Sequence, residues 1–266
     1  MNLALLTLIF SLSVFAKGNL LLIGGGNRSQ EILKEMVKLA NGNILIVPLA
    51  SSIPAEVAAS AKSQLETVGA TSVSVFSCST ENVDREICLT EIKNARLVYF
   101  TGGSQNQLFS AFKNSQALRI LRARHSKNLH LAGTSAGTAI MSEIMITGNP
   151  LPPYTQLQGV KPQMVEIAKG FGFVKSFILD QHFLKRSRQD RLLSAVLDSD
   201  VRVGVGIDES TAILINEDES FRVIGDSLVM VIDARKANVS VDSDGRYNYQ
   251  NVSTRLLAPG SSFLLP

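Results

Sequence analysis

Three short apolar runs limit what this chain can fold into: LLLI at 20–23, ILIV at 44–47 and LVYF at 97–100. None alternates polar with apolar, so neither side of these strands can face water. Strands of that kind belong to a mostly parallel sheet covered on both faces by helices. The intervening sequence supplies the cover. Strands are expected over Asn19–Ile23, Asn43–Pro48, Thr71–Phe76 and Arg96–Phe100. Helical patterns fall over Gln30–Ala40, Ala55–Val68, Glu86–Lys93 and, as one long helix, Gln107–His125. This alternation predicts an α/β architecture.

A further strand is expected over Asn128–Ala132, with a helix beginning over Thr138–Ile144. After Asn149 the texture changes. Pro150–Pro162 reads as a loop, Phe177–Phe183 as a strand and Arg188–Asp198 as a helix. From Val201 the chain is mainly β, with short strands over Ala212–Asn216, Phe221–Val223 and Leu228–Ile232. Turns are expected at Gly225, Asp226, Asp242 and Gly245.

A chain of 266 residues, 45% hydrophobic, can bury a sizeable core in one α/β domain. Its formal charge is only +3, and its Lys and Arg are dispersed, which argues against a nucleic-acid partner. Residues 1–16 (MNLALLTLIFSLSVFA) carry no charged side chain. The stretch is short for a bilayer span, and Val14 and Ala16 place compact residues where a signal peptidase reads. It reads as a secretory signal cleaved after Ala16, leaving residues 17–266 as one domain without a stable membrane span, secreted or periplasmic. In an oxidising compartment Cys78 and Cys88, ten apart, could close a small loop; otherwise they are free thiols. Neither cysteine has metal-type spacing, and three histidines offer no zinc constellation.

Gly133-Thr134-Ser135-Ala136-Gly137 fits the G-x-S-x-G elbow. A serine on a sharp strand-to-helix turn is pushed out of the sheet beside free backbone N–H groups. Such a serine needs a base. His125, after Arg122 and Arg124, is expected to be solvated, and His130, inside the elbow strand, to be a satisfied core histidine. His182 closes the strand Phe177–Phe183, and sites in open α/β sheets gather at the carboxyl ends of strands. It is therefore the candidate base. Its orienting carboxylate is Asp208 or Glu209, with Asp180 a third option; periodicity does not choose between the first two.

Four blocks, in order, carry a family resemblance: Thr101-Gly102-Gly103-Ser104-Gln105, the elbow itself, Asp180 to Leu192 (DQHFLKRSRQDRL), and Gly204 to Ala212 (GVGIDESTA). Together they resemble the cyanophycinase branch of serine peptidase family S51, which also includes the α-aspartyl dipeptidase called peptidase E. The resemblance implies a flavodoxin-like or class I glutamine amidotransferase-like sheet flanked by helices, with extra strands toward the C-terminus. It implies Ser135 as nucleophile, His182 as base and Glu209 as orienting carboxylate. Gly103 and Ala136 would supply the oxyanion N–H groups. Gln105, Gln181, Arg186, Arg188 and Arg191 would form the substrate-binding set. The first block carries Ser104 where the family usually has Asp.

The implied reaction is release of β-Asp-Arg dipeptides from cyanophycin, a polyaspartate with arginine on each β-carboxyl, without metal or organic cofactor. The expected partner is such a peptide or polymer, with a homodimer as the candidate assembly. Guanidinium groups suit a substrate rich in carboxylates. A plainer reading pairs Arg186 with Asp190 at i, i+4, a surface contact worth about 0.3–0.5 kcal/mol. Three other functions compete: a peptidase for other aspartyl dipeptides or isoaspartyl peptides, a non-catalytic binding protein, and an esterase using the same elbow.

Overall fold

The computed structural model describes residues 16–150 and 159–264. The chain begins β1 (Leu20–Ile23), α1 (Gln30–Ala40), β2 (Ile44–Val47), α2 (Pro54–Thr67), β3 (Val73–Val75), α3 (Glu86–Asn94) and β4 (Leu97–Phe100). It continues through α4 (Gln105–Phe112), α5 (Gln116–His125), β5 (His130–Thr134), the single turn α6 (Ala136–Ala139), β6 (Ile144–Pro150) and β7 (Val165–Lys169). Next come β8 (Ile178–Gln181), α7 (Gln189–Asp198), β9 (Val203–Ile207), β10 (Thr211–Ile215), β11 (Phe221–Gly225) and β12 (Val229–Asp233). Four strands follow: β13 (Asn238–Val241), β14 (Tyr247–Gln250), β15 (Ser253–Leu257) and β16 (Ser262–Phe263).

The apolar runs form β1, β2 and β4, and each of their residues is buried. They lie within an eight-stranded sheet ordered β16-β11-β10-β1-β5-β4-β2-β3. The pairings from β1 to β3 are parallel, whereas β10, β11 and β16 extend the β1 edge antiparallel. Side chains alternate across the sheet. Leu21, Ile23, Ile44, Ile46, Leu97 and Tyr99 pack against α1 and α2. Leu20, Leu22, Leu45, Val47, Val98 and Phe100 face the opposite core, with Leu89, Phe112 and Leu121 from α3, α4 and α5. Each such side chain contributes about 1.5–3 kcal/mol by leaving water.

His182 and Glu209 do not follow strands of this sheet. β8 and β9 pair in parallel within a second sheet, ordered β15-β12-β9-β8. Leu179, Val205, Ile207 and Val231 of the second sheet join the core beneath Ile213 and Val223 of the first. Its other face, including Ile178 and Ile232, packs against Leu192 and Val196 of α7. The result is helices, sheet, sheet and helix in successive layers at one end of the molecule.

Several local expectations need correction. The long helix over Gln107–His125 is two helices. Asn114 takes a left-handed φ of 64°, the Ser115 side chain accepts the Leu118 N–H at 3.0 Å, and the Asp84 carboxylate accepts Gln116 N at 2.9 Å and Ala117 N at 2.8 Å. A helix start this well capped outweighs continuous apolar periodicity. The helix expected over Thr138–Ile144 ends at Ala139. Carbonyls of Ile140, Met141 and Ser142 instead accept N–H groups from residues 171–174, and Ile144 opens a hairpin with β7, a strand the sequence reading passed over. Gly225 ends a strand, while Asp226 lies in the turn beyond it. All but Ala16 of the segment 1–16, expected to be a signal, and most of the expected Pro150–Pro162 loop lie outside the described residues.

Cys78 and Cys88 form a disulfide with a Cα–Cα distance of 6.2 Å. It closes a ten-residue separation at the start of α3, and closing a loop of that length removes denatured-state entropy worth about 2–3 kcal/mol. A Cys78→Ser/Cys88→Ser variant is expected to lose roughly that stability in denaturant titration, at unchanged far-UV circular dichroism. An unchanged midpoint would show that the bridge contributes nothing to the fold.

Candidate active site

The elbow forms where β5, held between β1 and β4, ends in the middle of the large sheet. Ser135 follows Thr134 with φ 53° and ψ −114°, a conformation that costs a non-glycine residue about 1–3 kcal/mol. Neighbours hold it there. Ser135 N donates to Ile23 O at 3.0 Å, and the Thr138 hydroxyl lies 2.7 Å from Ile23 O and 2.8 Å from Gly133 O. Gly133 is required by contact: a Cβ there would stand 2.1 Å from the Gly137 carbonyl oxygen.

His182 lies one residue beyond β8, also with left-handed backbone (φ 50°), and its N–H donates to Gly24 O at 2.7 Å. Its Nε2 is 2.8 Å from Ser135 Oγ, and its Nδ1 is 2.6 Å from Glu209 Oε1. The Glu209 contact favours a proton on Nδ1, which leaves the Nε2 lone pair for the serine hydroxyl. Burial lowers the His182 pKa from its ordinary value; the hydrogen bond to Glu209 opposes that shift, and the positive charge of Arg186 adds to it. The imidazole is thus kept neutral near neutral pH.

Glu209 occupies the corner where the chain leaves the second sheet for the first. Periodicity left Asp208 as its rival, but the Asp208 carboxylate is occupied elsewhere. Its Oδ1 accepts Lys185 N at 2.8 Å and its Oδ2 accepts the Ser227 hydroxyl at 2.7 Å. Asp180, the third option, lies 1% exposed and paired with Arg191.

Sequence reasoning gave no role to the Gly24-Gly25-Gly26 segment, which joins these parts. Gly24 N donates to Thr211 O at 2.9 Å, and Gly25 O accepts Ser210 N at 2.9 Å. A Cβ on Gly25 would lie 2.3 Å from His182 Cε1, so any larger residue would displace the ring. Three glycines directly after a fully buried strand were the available signal. Gly102 was missed as well: a Cβ there would sit 3.3 Å from the Ser135 Cβ.

The remaining expected site residues divide into two groups. The turn through Gly102 and Gly103 passes beside Ser135, with Gly103 exposed and seated on Ala50. Ala136 is the first residue of α6, where a backbone N–H has no partner inside the helix. Gln105 is buried, and its side-chain amide donates to Ile146 O at 2.9 Å. Ser104 caps α4 by accepting Gln107 N at 3.2 Å. Arg188 donates to both Gln181 O (2.6 Å) and Gln181 Oε1 (2.9 Å). Burial and the neighbouring Arg191 bring the Arg188 pKa down to about 10. Arg191 Nε donates to Asp180 Oδ2 at 3.0 Å, and Nη2 meets Oδ1. Of the three arginines only Arg186 is exposed, and Asp190 receives Gly159 N at 3.2 Å rather than an ion pair with Arg186.

The other histidines lie away from this cluster. His130 Nδ1 accepts Asn19 N at 3.0 Å. His125 is not solvated as expected but 3% exposed, its Nδ1 2.9 Å from Leu129 O and its ring edge-on to Phe173; burial lowers its pKa to about 4. Among the described residues no cluster of His, Cys, Asp and Glu has the makings of a metal site.

Residues 20–223 match the family described as Peptidase family S51. The chain is 31% identical to a cyanophycinase of Trichormus variabilis, over 94% of this chain and 86% of that protein. It is 30% identical to a cyanophycinase of Geminocystis herdmanii, over 83% and 82%. Among solved structures, a peptidase from an acI-B1 Actinobacterium superposes with a TM-score of 0.70 at 20% identity, covering 95% of this chain and 98% of that one. A putative peptidase E from Listeria monocytogenes gives 0.54 at 19% identity, over 80% and 100%. The chain belongs to peptidase family S51, and is a serine-type peptidase by that membership.

Proposed function

We propose that this chain is a secreted serine exopeptidase that hydrolyses cyanophycin to β-Asp-Arg dipeptides. The observation that carries the proposal is the continuous contact from Ser135 Oγ through His182 to Glu209, at 2.8 and 2.6 Å. His182 Nε2 takes the hydroxyl proton as Oγ attacks the scissile carbonyl, and Glu209 stabilises the imidazolium that forms. The N–H groups of Gly103 and Ala136 receive the charge that develops on the carbonyl oxygen. His182 then returns the proton to the leaving amine. Water, deprotonated by the same imidazole, releases the acyl group and restores Ser135.

The choice of substrate rests on the relatives named cyanophycinase, which match nearly the whole chain. Of the polar set, Arg186 is the exposed member and meets the substrate directly. Arg188 and Arg191 act by fixing Gln181 and Asp180, the two residues directly before the base. Secretion is supported by the Cys78–Cys88 disulfide, since such bonds persist in oxidising compartments.

Purified protein lacking residues 1–16 should release β-Asp-Arg from insoluble cyanophycin, identified by mass spectrometry. Ser135→Ala should lower that rate by at least about 10³-fold at unchanged thermal stability. Release of Asp-X dipeptides alone, or turnover of short esters without peptide cleavage, would replace this assignment.

The pH profile gives a separate check. Because burial disfavours imidazolium, the acid limb of kcat/KM should fall below about 6.5, the ordinary histidine value. Arg186→Ala removes a positive charge that opposes protonation, so the limb should move upward, toward that value. A limb that stays in place would show that Arg186 does not act on His182.

A further inference from the structure

Beside Ser135 and His182 opens a pocket of about 460 Å3 that none of Arg186, Arg188 and Arg191 lines. Its charged side chains are Arg28 and Glu56. Arg28 is half-buried and held at two points: Nε donates to Gln64 Oε1 at 2.9 Å, and Nη1 donates to Tyr99 OH at 3.1 Å. Both partners are neutral, since burial raises the Tyr99 pKa and keeps its phenol protonated. No carboxylate among the described residues lies within ion-pair distance of Arg28. Nη2 is left with both its hydrogens, on a guanidinium whose plane is already fixed. A preorganised fork of this kind is suited to a carboxylate.

Glu56 stands exposed in the first turn of α2, in the same pocket but outside ion-pair reach of Arg28. Ile53 and Val57 add an apolar wall. The pocket thus offers one fixed cationic pole, one anionic pole and an apolar surface that would suit a methylene chain.

We propose that Arg28 and Glu56 set the specificity of this pocket. It takes an amino-acid unit whose free carboxylate pairs with Arg28 and whose cationic side chain reaches Glu56. This deepens the serine-peptidase reading and rests on it for the reaction. An arginine joined through its α-amino group to an aspartyl β-carboxyl has both features, a free carboxylate and a guanidinium separated by three methylenes.

Binding in the Ser135→Ala background tests the pocket without turnover. The calorimetric probes are β-Asp-Arg, β-Asp-norleucine and β-Asp-arginine amide. Glu56→Gln should weaken β-Asp-Arg roughly three- to fivefold, as expected for an exposed pair, and leave β-Asp-norleucine unchanged. Arg28→Gln should weaken β-Asp-Arg roughly tenfold or more and leave the amide, which lacks the carboxylate, unchanged. If Arg28→Gln lowers thermal stability, Arg28→Lys replaces it, keeping the charge and losing the fork; it should fall between wild type and Gln for β-Asp-Arg and β-Asp-norleucine, which both carry the carboxylate, and leave the amide unchanged. Equal weakening of all three probes, no effect of either substitution, or no measurable binding of β-Asp-Arg would overturn the proposal. If these differences persist but the native enzyme cleaves no aspartyl peptide, the pocket stands and the peptidase reading falls. If cleavage is found and the differences are absent, the pocket alone fails.

Discussion

The backbone of Ile23, Gly24 and Gly25 holds the site together. Ile23 O accepts the Ser135 N–H, Gly24 O accepts the His182 N–H, and Gly25 O accepts the Ser210 N–H next to Glu209. Each of these three acceptors fixes a residue with positive φ, Ser135, His182 or Ser210, all unfavourable without support. The strand that leads into this segment is buried along its whole length, so the acceptors start from a rigid base. Side-chain bulk here would break the arrangement, as the close approach of Gly25 to the His182 ring shows.

Charge buried behind the site serves the same end. Asp180 is almost completely enclosed and meets Arg191 through two contacts, with Arg188 at 3.7 Å. Removing one partner from such a group leaves an uncompensated charge and typically costs about 3–5 kcal/mol. Asp180 and Gln181 directly precede His182, so this network constrains the chain that presents the base. Two of the guanidinium groups that a sequence reading assigns to the substrate are therefore committed within the protein itself.

Much of the architecture was legible because β1, β2 and β4 are uninterrupted apolar runs, a pattern with few structural solutions. Ser135 was legible from the small residues its turn demands, and His182 from its place at a strand end. The second sheet was not legible, because the pattern of β8 and β9 shows burial without naming the neighbour. The break between α4 and α5 was hidden by apolar spacing that continues across Asn114. His125 misled because its neighbours suggested water. Arg122 and Arg124 in fact donate to the carbonyls of Phe171, Ile92 and Ala95, and the His125 ring packs against Phe173. Periodicity could not separate Asp208 from Glu209; the family resemblance pointed to Glu209, and that is the carboxylate that reaches the imidazole.

The split between two sheets also orders events as the chain is made. The serine follows β5, whose parallel neighbours β1 and β4, and β2 and β3 beyond β4, all precede it. The histidine and its carboxylate come later, just beyond strands β8 and β9, whose sheet also contains β12 and β15. β10, directly after β9, returns to pair with β1 and ends at residue 215 of 266. A nascent or truncated polypeptide ending before that return carries Ser135 without the sheet pairing that brings Glu209 and His182 beside it. The contact that runs from Ser135 through His182 to Glu209 is thus complete only once the last quarter of the sequence is in place.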